Sequence, residues 1–115
     1  AIKNLFSQSS ESTTNPKQII HVIEKYTGVS IEVIKSNKRD QKSTQARRIT
    51  MYLLREDAHM TSTAVAQMLG GKDHSTVIYA QKAIENQIKK DLILREKILK
   101  IRELINVPVW IKKII

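Results

Sequence analysis

The chain has 115 residues, 20 Lys and Arg against 11 Asp and Glu, a formal net charge of +9 and no cysteine. That length suits one small domain with at most a tail. The lack of Cys excludes disulfides, thiolate catalysis and cysteine-ligated zinc, and fits a reducing cytoplasm. With only three Gly and two Pro, and with Ile, Lys and Glu abundant, the composition favours helices over sheet. No secretory signal is evident, and no apolar run nears the ~20 residues of a spanning helix. The basic balance points to a polyanion, nucleic acid first and acidic membrane second.

Residues 1–6 carry apolar Ile2, Leu5 and Phe6 and read as the end of a helix. The Ser- and Thr-rich stretch that follows, up to Asn15, reads as a linker, so a domain is expected over 15–105. Asn15-Pro16 supplies an N-cap and a first helical residue. Ile19, Ile20, Ile23 and Tyr26 then share one face, and Gly28 ends the helix. Ser30 is a candidate cap for a short helix over 31–35, anchored by Val33 and Ile34.

Residues 35–44 contain no apolar side chain. Over 35–48, six cations (Lys35, Lys38, Arg39, Lys42, Arg47 and Arg48) face one anion, Asp40, which concentrates more than half of the net charge. A loop is expected there, with Ser43 or Thr44 capping a helix that runs to about Asp57. Ala46, Ile49, Tyr52 and Leu53 face inward on it, while Arg48 and Arg55 lie two turns apart on another face. A basic loop leading into an arginine-bearing helix suits phosphate neutralisation. Arg39 in such a loop suits a narrow, A·T-rich minor groove. The plainer reading is a solvated charged loop.

Thr61 caps a further helix with Ala64, Val65, Met68 and Leu69 inward. Gly70-Gly71 permits a sharp turn, and Asp73 caps the next helix, where Val77, Ala80, Ala83 or Ile84, and Ile88 point inward. Two helices about a glycine turn outline a helix-turn-helix, although an ordinary helical hairpin has the same outline. The chemistry at the second helix's start separates the two. Lys72, Asp73, His74, Ser75 and Thr76 are polar in succession, and Asp, His and Ser offer groups that match base edges. Tyr79 lies one turn on, within reach of a sugar or phosphate. Gly71-Lys72 is not a P-loop, because the glycine spacing is wrong and no Ser or Thr follows the Lys. His21, His59 and His74 lack metal-ligand spacing and a paired nucleophile, so neither catalysis nor a metal is expected. His21 and His59 read as ordinary surface or half-buried residues.

A last helix over about 92–105 follows Asp91, a candidate cap, with Ile93, Ile98 or Leu99, Ile101 and Ile105 inward. The tail, 106–115, is apolar at Val109, Trp110, Ile111, Ile114 and Ile115 after a helix-breaking Pro108. Packing over the core is expected for it, with docking on a partner or an acidic lipid surface as alternatives.

The run Gly70-Gly71-Lys72-Asp73-His74-Ser75-Thr76-Val77 resembles the signature of the C-terminal DNA-binding domain (domain IV) of DnaA, the bacterial chromosomal replication initiator. The likeness extends upstream through Lys38-Arg39, Ala46-Arg47-Arg48-Ile49 and Met51-Tyr52-Leu53, and covers about 15–105. It implies an all-α, Trp-repressor-like domain of about six helices that binds DnaA boxes at replication origins. By the resemblance, Asp73, His74 and Ser75 would read bases in the major groove and Arg39 in the minor groove. Lys38, Arg47, Arg48, Arg55, Thr63, Lys72, Thr76 and Tyr79 match backbone-contact positions. Residues 1–6 would end a connector from an ATPase domain. ATP is a cofactor of that domain alone, and this piece is expected to be no enzyme. Double-stranded DNA is the expected partner, with acidic phospholipid a second one through the chain ends. The isolated domain is expected to be monomeric and to act at the bacterial nucleoid in the cytoplasm.

Some positions depart from the family pattern. Lys72 stands where Arg is usual, which loses the planar fork. Ser75 replaces Thr and loses a methyl that contacts thymine. Ser62-Thr63-Ala64-Val65-Ala66 replaces Leu-Pro-Glu-Ile-Gly, Tyr79 replaces His, and the Trp110 tail has no family counterpart. These changes leave open a DnaA-like transcriptional regulator or mobile-element protein. A basic helical protein-interaction module is the reading outside nucleic acid.

Overall fold

The first turn of each helix leaves backbone amides that must find acceptors. Short polar side chains placed at the right spacing answer that need throughout this chain. A computed structural model describes residues 14–106, which form six α-helices and no strand: α1 Pro16–Thr27, α2 Ile31–Lys35, α3 Gln41–Glu56, α4 Ser62–Met68, α5 His74–Lys90 and α6 Leu92–Asn106. Asn15, Ser30, Asp40, Thr61 and Asp73 cap the first five, each accepting from an amide two or three residues on. Asp91 does the same for α6, accepting from the amides of Ile93 and Leu94. The expected connector end at 1–6, the linker up to residue 13 and the apolar tail from 107 onward lie outside the described residues.

One expected cap is displaced. α3 starts at Gln41, earlier than a cap at Ser43 or Thr44 would allow. The Asp40 carboxylate accepts from both the amide and the hydroxyl of Ser43, each at 3.0 Å. Part of the apparent loop is therefore helix. Gln41 and Lys42 are exposed, so no apolar periodicity marks the first turn, and cap chemistry alone sets it.

α3 lies at the centre. From Ile49 to Leu54 every residue is buried, as expected of a helix enclosed on most sides. It packs against α1, α2, α4 and α5, while α6 closes the bundle against α1 and α5. Ile19, Ile23, Ile34, Leu69, Ile84 and Ile101 converge on it with almost no exposed surface.

Some inward expectations shift by one position. On α1, Val22 is buried and Tyr26 is exposed. On α4, Ala66 is buried while Ala64 and Met68 are half-buried. On α5, Ile84 is buried, Ala83 is half-buried, and Ile88 packs at the core edge. On α6 the buried stripe is Leu94, Ile98, Ile101 and Ile105, whereas Ile93 is 76% exposed and Leu99 52%. The i, i+4, i+7, i+11 stripe matches the helical repeat. The run Leu92-Ile93-Leu94 offers three possible phases, and only packing against α1 and α5 selects one.

Candidate nucleic-acid interface

The helix-turn-helix is built by α4, the turn 69–73 and α5. In the turn, the amides of Gly71 and Lys72 both donate to the Ala66 carbonyl at 3.0 Å. Gly70 and Gly71 have φ of +92° and +76°, a left-handed conformation that favours glycine. Gly70 is further constrained by space. A Cβ built there would sit 3.1 Å from the Lys35 carbonyl oxygen at the end of α2. The turn therefore presses directly on the helix that leads into the basic loop.

Asp73 then starts α5. Its Oδ1 accepts from the Ser75 amide at 3.1 Å and from the Ser75 hydroxyl at 2.9 Å. Those bonds, the amide's first, hold its carboxyl below the ordinary value of 3.8. His74 Nδ1 lies 3.4 Å from the same oxygen. His74, Ser75, Thr76 and Tyr79 are exposed while Val77 and Ala80 are buried. The inner face of α5 thus anchors the helix and turns its polar start outward.

The basic loop, residues 36–40, lies beside that start. Ser36, Asn37 and Arg39 of the loop, Thr44 and Arg47 of α3, and Lys72, Asp73 and Thr76 of the turn and α5 line one open cleft of about 620 Å³. Two segments some 35 residues apart in sequence, around Arg39 and Asp73, thereby share one surface. The sequence does not mark Ser36 or Asn37, and it marks Thr44 only as a candidate cap and not as a contact residue. Thr44 carries a usable signal, because it shares a helical face with Arg47 and Arg48 three and four residues on.

The cations of the region divide into two groups. Lys38 and Arg39 are exposed. Arg48 lies over the Tyr79 ring, 5.7 Å from its centroid, which joins α3 to the outer face of α5. Lys35 and Lys42 are exposed as well, whereas Arg47, Lys72 and Arg55 are engaged within the protein. Arg47 Nε donates to the Ile34 carbonyl at 2.8 Å and Nη2 to the Val33 carbonyl at 3.2 Å. Lys72 Nζ donates to the carbonyls of Lys35 and Ser36 and to Asn37 Oδ1. Arg55 donates to Gln81 Oε1 and the Met60 carbonyl, tying α3 to α5 and to the loop before α4. Burial lowers Arg47 from its ordinary value, and burial together with the nearby Arg47 lowers Lys72. Thr63 is exposed at the start of α4. His21 and His59 are also exposed, on α1 and in the α3–α4 loop.

This arrangement has recognisable kin. Residues 16–84, from the start of α1 into α5, match the family described as the bacterial dnaA protein helix-turn-helix. The chromosomal replication initiator protein DnaA of Enterococcus faecalis is 33% identical over 106 residues, which cover 92% of this chain and 24% of that protein. Its namesake in Chloroflexus aurantiacus is 28% identical over 103 residues, 90% of this chain and 22% of the relative. The one in Crocosphaera subtropica is 33% identical over 95 residues, 83% and 21% respectively. The chain thus spans about a fifth to a quarter of the length of the relatives it matches. With six helices placed about a glycine turn and the family match running through that turn, the chain belongs to the family of DnaA C-terminal helix-turn-helix domains.

Proposed function

We propose that this domain binds double-stranded DNA sequence-specifically, at DnaA-box-like sites of a bacterial replication origin, as the DNA-binding part of a replication initiator. The observation that carries the reading is the shared cleft, which sets Arg39 beside Asp73 and Thr76 at the start of α5. A helix start in the major groove and an arginine in the neighbouring minor groove need that proximity.

In this reading Asp73, His74 and Ser75 meet base edges. The Ser75 hydroxyl is already donated to Asp73, so Ser75 would meet a base as an acceptor. The second Asp73 oxygen is available to a cytosine amine. Arg39 reads the minor groove. Lys38, Arg48, Thr63, Thr76 and Tyr79 hold sugar and phosphate on either side, and Arg48 is oriented by the Tyr79 ring. Arg47 and Arg55 support the surface from behind through their bonds to α2 and α5.

The test is an anisotropy titration of a DnaA-box duplex and a scrambled duplex at two salt concentrations. Tighter binding of the box at both salts is expected, with affinity falling steeply as salt rises. Equal affinity for the two duplexes would overturn base reading. No binding to either at low salt would favour a protein-interaction module. A second reading, a DnaA-like transcriptional regulator, draws support from the family departures at Lys72, Ser75 and Tyr79. Preference for promoter fragments over origin fragments would favour it.

A further inference from the structure

Lys72 accounts for a relationship that charge counting hides. An ammonium has three N–H donors. Here all three have partners: the Lys35 carbonyl at 2.7 Å, the Ser36 carbonyl at 3.2 Å and Asn37 Oδ1 at 3.1 Å. These acceptors lie 35 to 37 residues away in sequence, on the last residue of α2 and the start of the basic loop. The two carbonyls before them, of Val33 and Ile34, are taken by Arg47. The end of α2 therefore meets two cations, which suits its exposed carbonyls and its dipole. Gly70 makes the approach possible, since a Cβ there would crowd the Lys35 carbonyl oxygen at 3.1 Å.

The order is passed on. The Ser36 hydroxyl donates to the Val33 carbonyl and accepts from the Lys38 amide at 3.2 Å. From Lys72 the path thus runs through Ser36 to the backbone of Lys38, next to Arg39.

We propose that Lys72 is a positioning residue: it clamps loop 36–39 to the helix-turn-helix so that Arg39 and the start of α5 meet the DNA in one fixed register, and it makes no phosphate contact. This rests on the DNA-binding reading above. A tetrahedral ammonium fits three converging oxygens from consecutive residues, whereas a planar guanidinium presents its donors in one plane. The Lys at this position is therefore matched to the clamp.

The test uses Lys72→Met, with Asn37→Ala as a second variant that removes one acceptor and leaves every charge in place. Three quantities are read. They are the box-to-scrambled affinity ratio, the salt slope on scrambled duplex, and hydrogen exchange of the Lys38 amide in DNA-free protein. The clamp predicts faster exchange at Lys38 in both variants. It also predicts a box-to-scrambled ratio lowered by about tenfold in Lys72→Met, the size of one lost base contact, and an unchanged salt slope. A slope lower by about 0.9 with the ratio retained would identify a phosphate contact and overturn the proposal. Unchanged exchange at Lys38 would overturn it as well. Wild-type protein without box preference would defeat the DNA reading, while the exchange measurement would still decide whether the clamp exists. Far-UV circular dichroism of each variant separates loss of the clamp from loss of the fold.

Discussion

The Arg102 guanidinium donates two hydrogen bonds to the Asp57 carboxylate, at 3.1 and 3.0 Å, and lies over the Tyr52 ring at 5.5 Å. It fastens α6 to the end of α3, and neither residue lines the cleft between the basic loop and the start of α5. The two side chains are 32% and 17% exposed, so water screens the pair only in part. Arg102→Met is expected to cost about 1–2 kcal/mol, more than an exposed ion pair and less than a fully buried one. Urea denaturation measures the loss, and the salt slope of DNA binding should not change. A double-mutant cycle with Asp57→Asn apportions it. Additive effects would assign the cost to packing on Tyr52 instead of the ion pair.

Gly70 and Gly71 share a left-handed backbone but not the same surroundings. Gly71→Ala meets no atom within 4 Å, so its cost is backbone strain alone, about 1 kcal/mol. Gly70→Ala adds the clash with the Lys35 carbonyl and should cost at least about 1 kcal/mol more. Denaturation curves of the two variants, compared at equal slope, test this. Equal losses would show that the end of α2 yields freely.

Base contacts and phosphate contacts separate by their dependence on sequence and salt. Arg39→Ala and His74→Ala should each lower the preference for the box by about 1–3 kcal/mol. Arg48→Ala should instead weaken box and scrambled duplex alike and reduce the salt slope by about 0.9. Anisotropy titrations over a salt series give both quantities. Equal loss on the two duplexes for His74→Ala would count against base reading by that residue.

Two of the three aspartate caps, Asp40 and Asp73, hold depressed carboxyls. The hydroxyl and then the amide of Ser43 hold the Asp40 carboxyl below its ordinary value of 3.8, and Ser75 does the same for Asp73, amide first. A depressed carboxyl stabilises the fold above its ordinary value, and that stability is lost as pH falls through the folded-state value. Asn caps about as well as Asp and does not titrate. Asp40→Asn combined with Asp73→Asn should therefore keep the helices near neutral pH and flatten the loss of stability between about pH 5 and about pH 2. Urea midpoints across that range test it. An unchanged acid profile would place the titrating groups elsewhere.

Much of the fold was legible because its signals are local. Asn15, Ser30, Thr61, Asp73 and Asp91 act on amides within three residues, so their role can be read from spacing. Asp40 was missed because Ser43 and Thr44 offered the same chemistry nearby. The start of α5 was legible for the same reason as its cap. The phase of α6 was not, because Leu92, Ile93 and Leu94 are equally apolar and only the packed neighbours distinguish them.

The cations show where sequence reading stops. By itself the sequence determined six capped helices, a glycine turn, and a polar helix start within a strongly basic chain. Each of those depends on contacts a few residues long. Tertiary structure alone decided which positive charges find acceptors within the protein. Arg47, Arg55 and Lys72 find acceptors 13, 26 and 35 to 37 residues away, while Arg39 stays exposed in the cleft. The physical reason is reach. A long side chain satisfies its donors with whatever oxygen the packing of other helices brings near, and no spacing along the chain encodes that position.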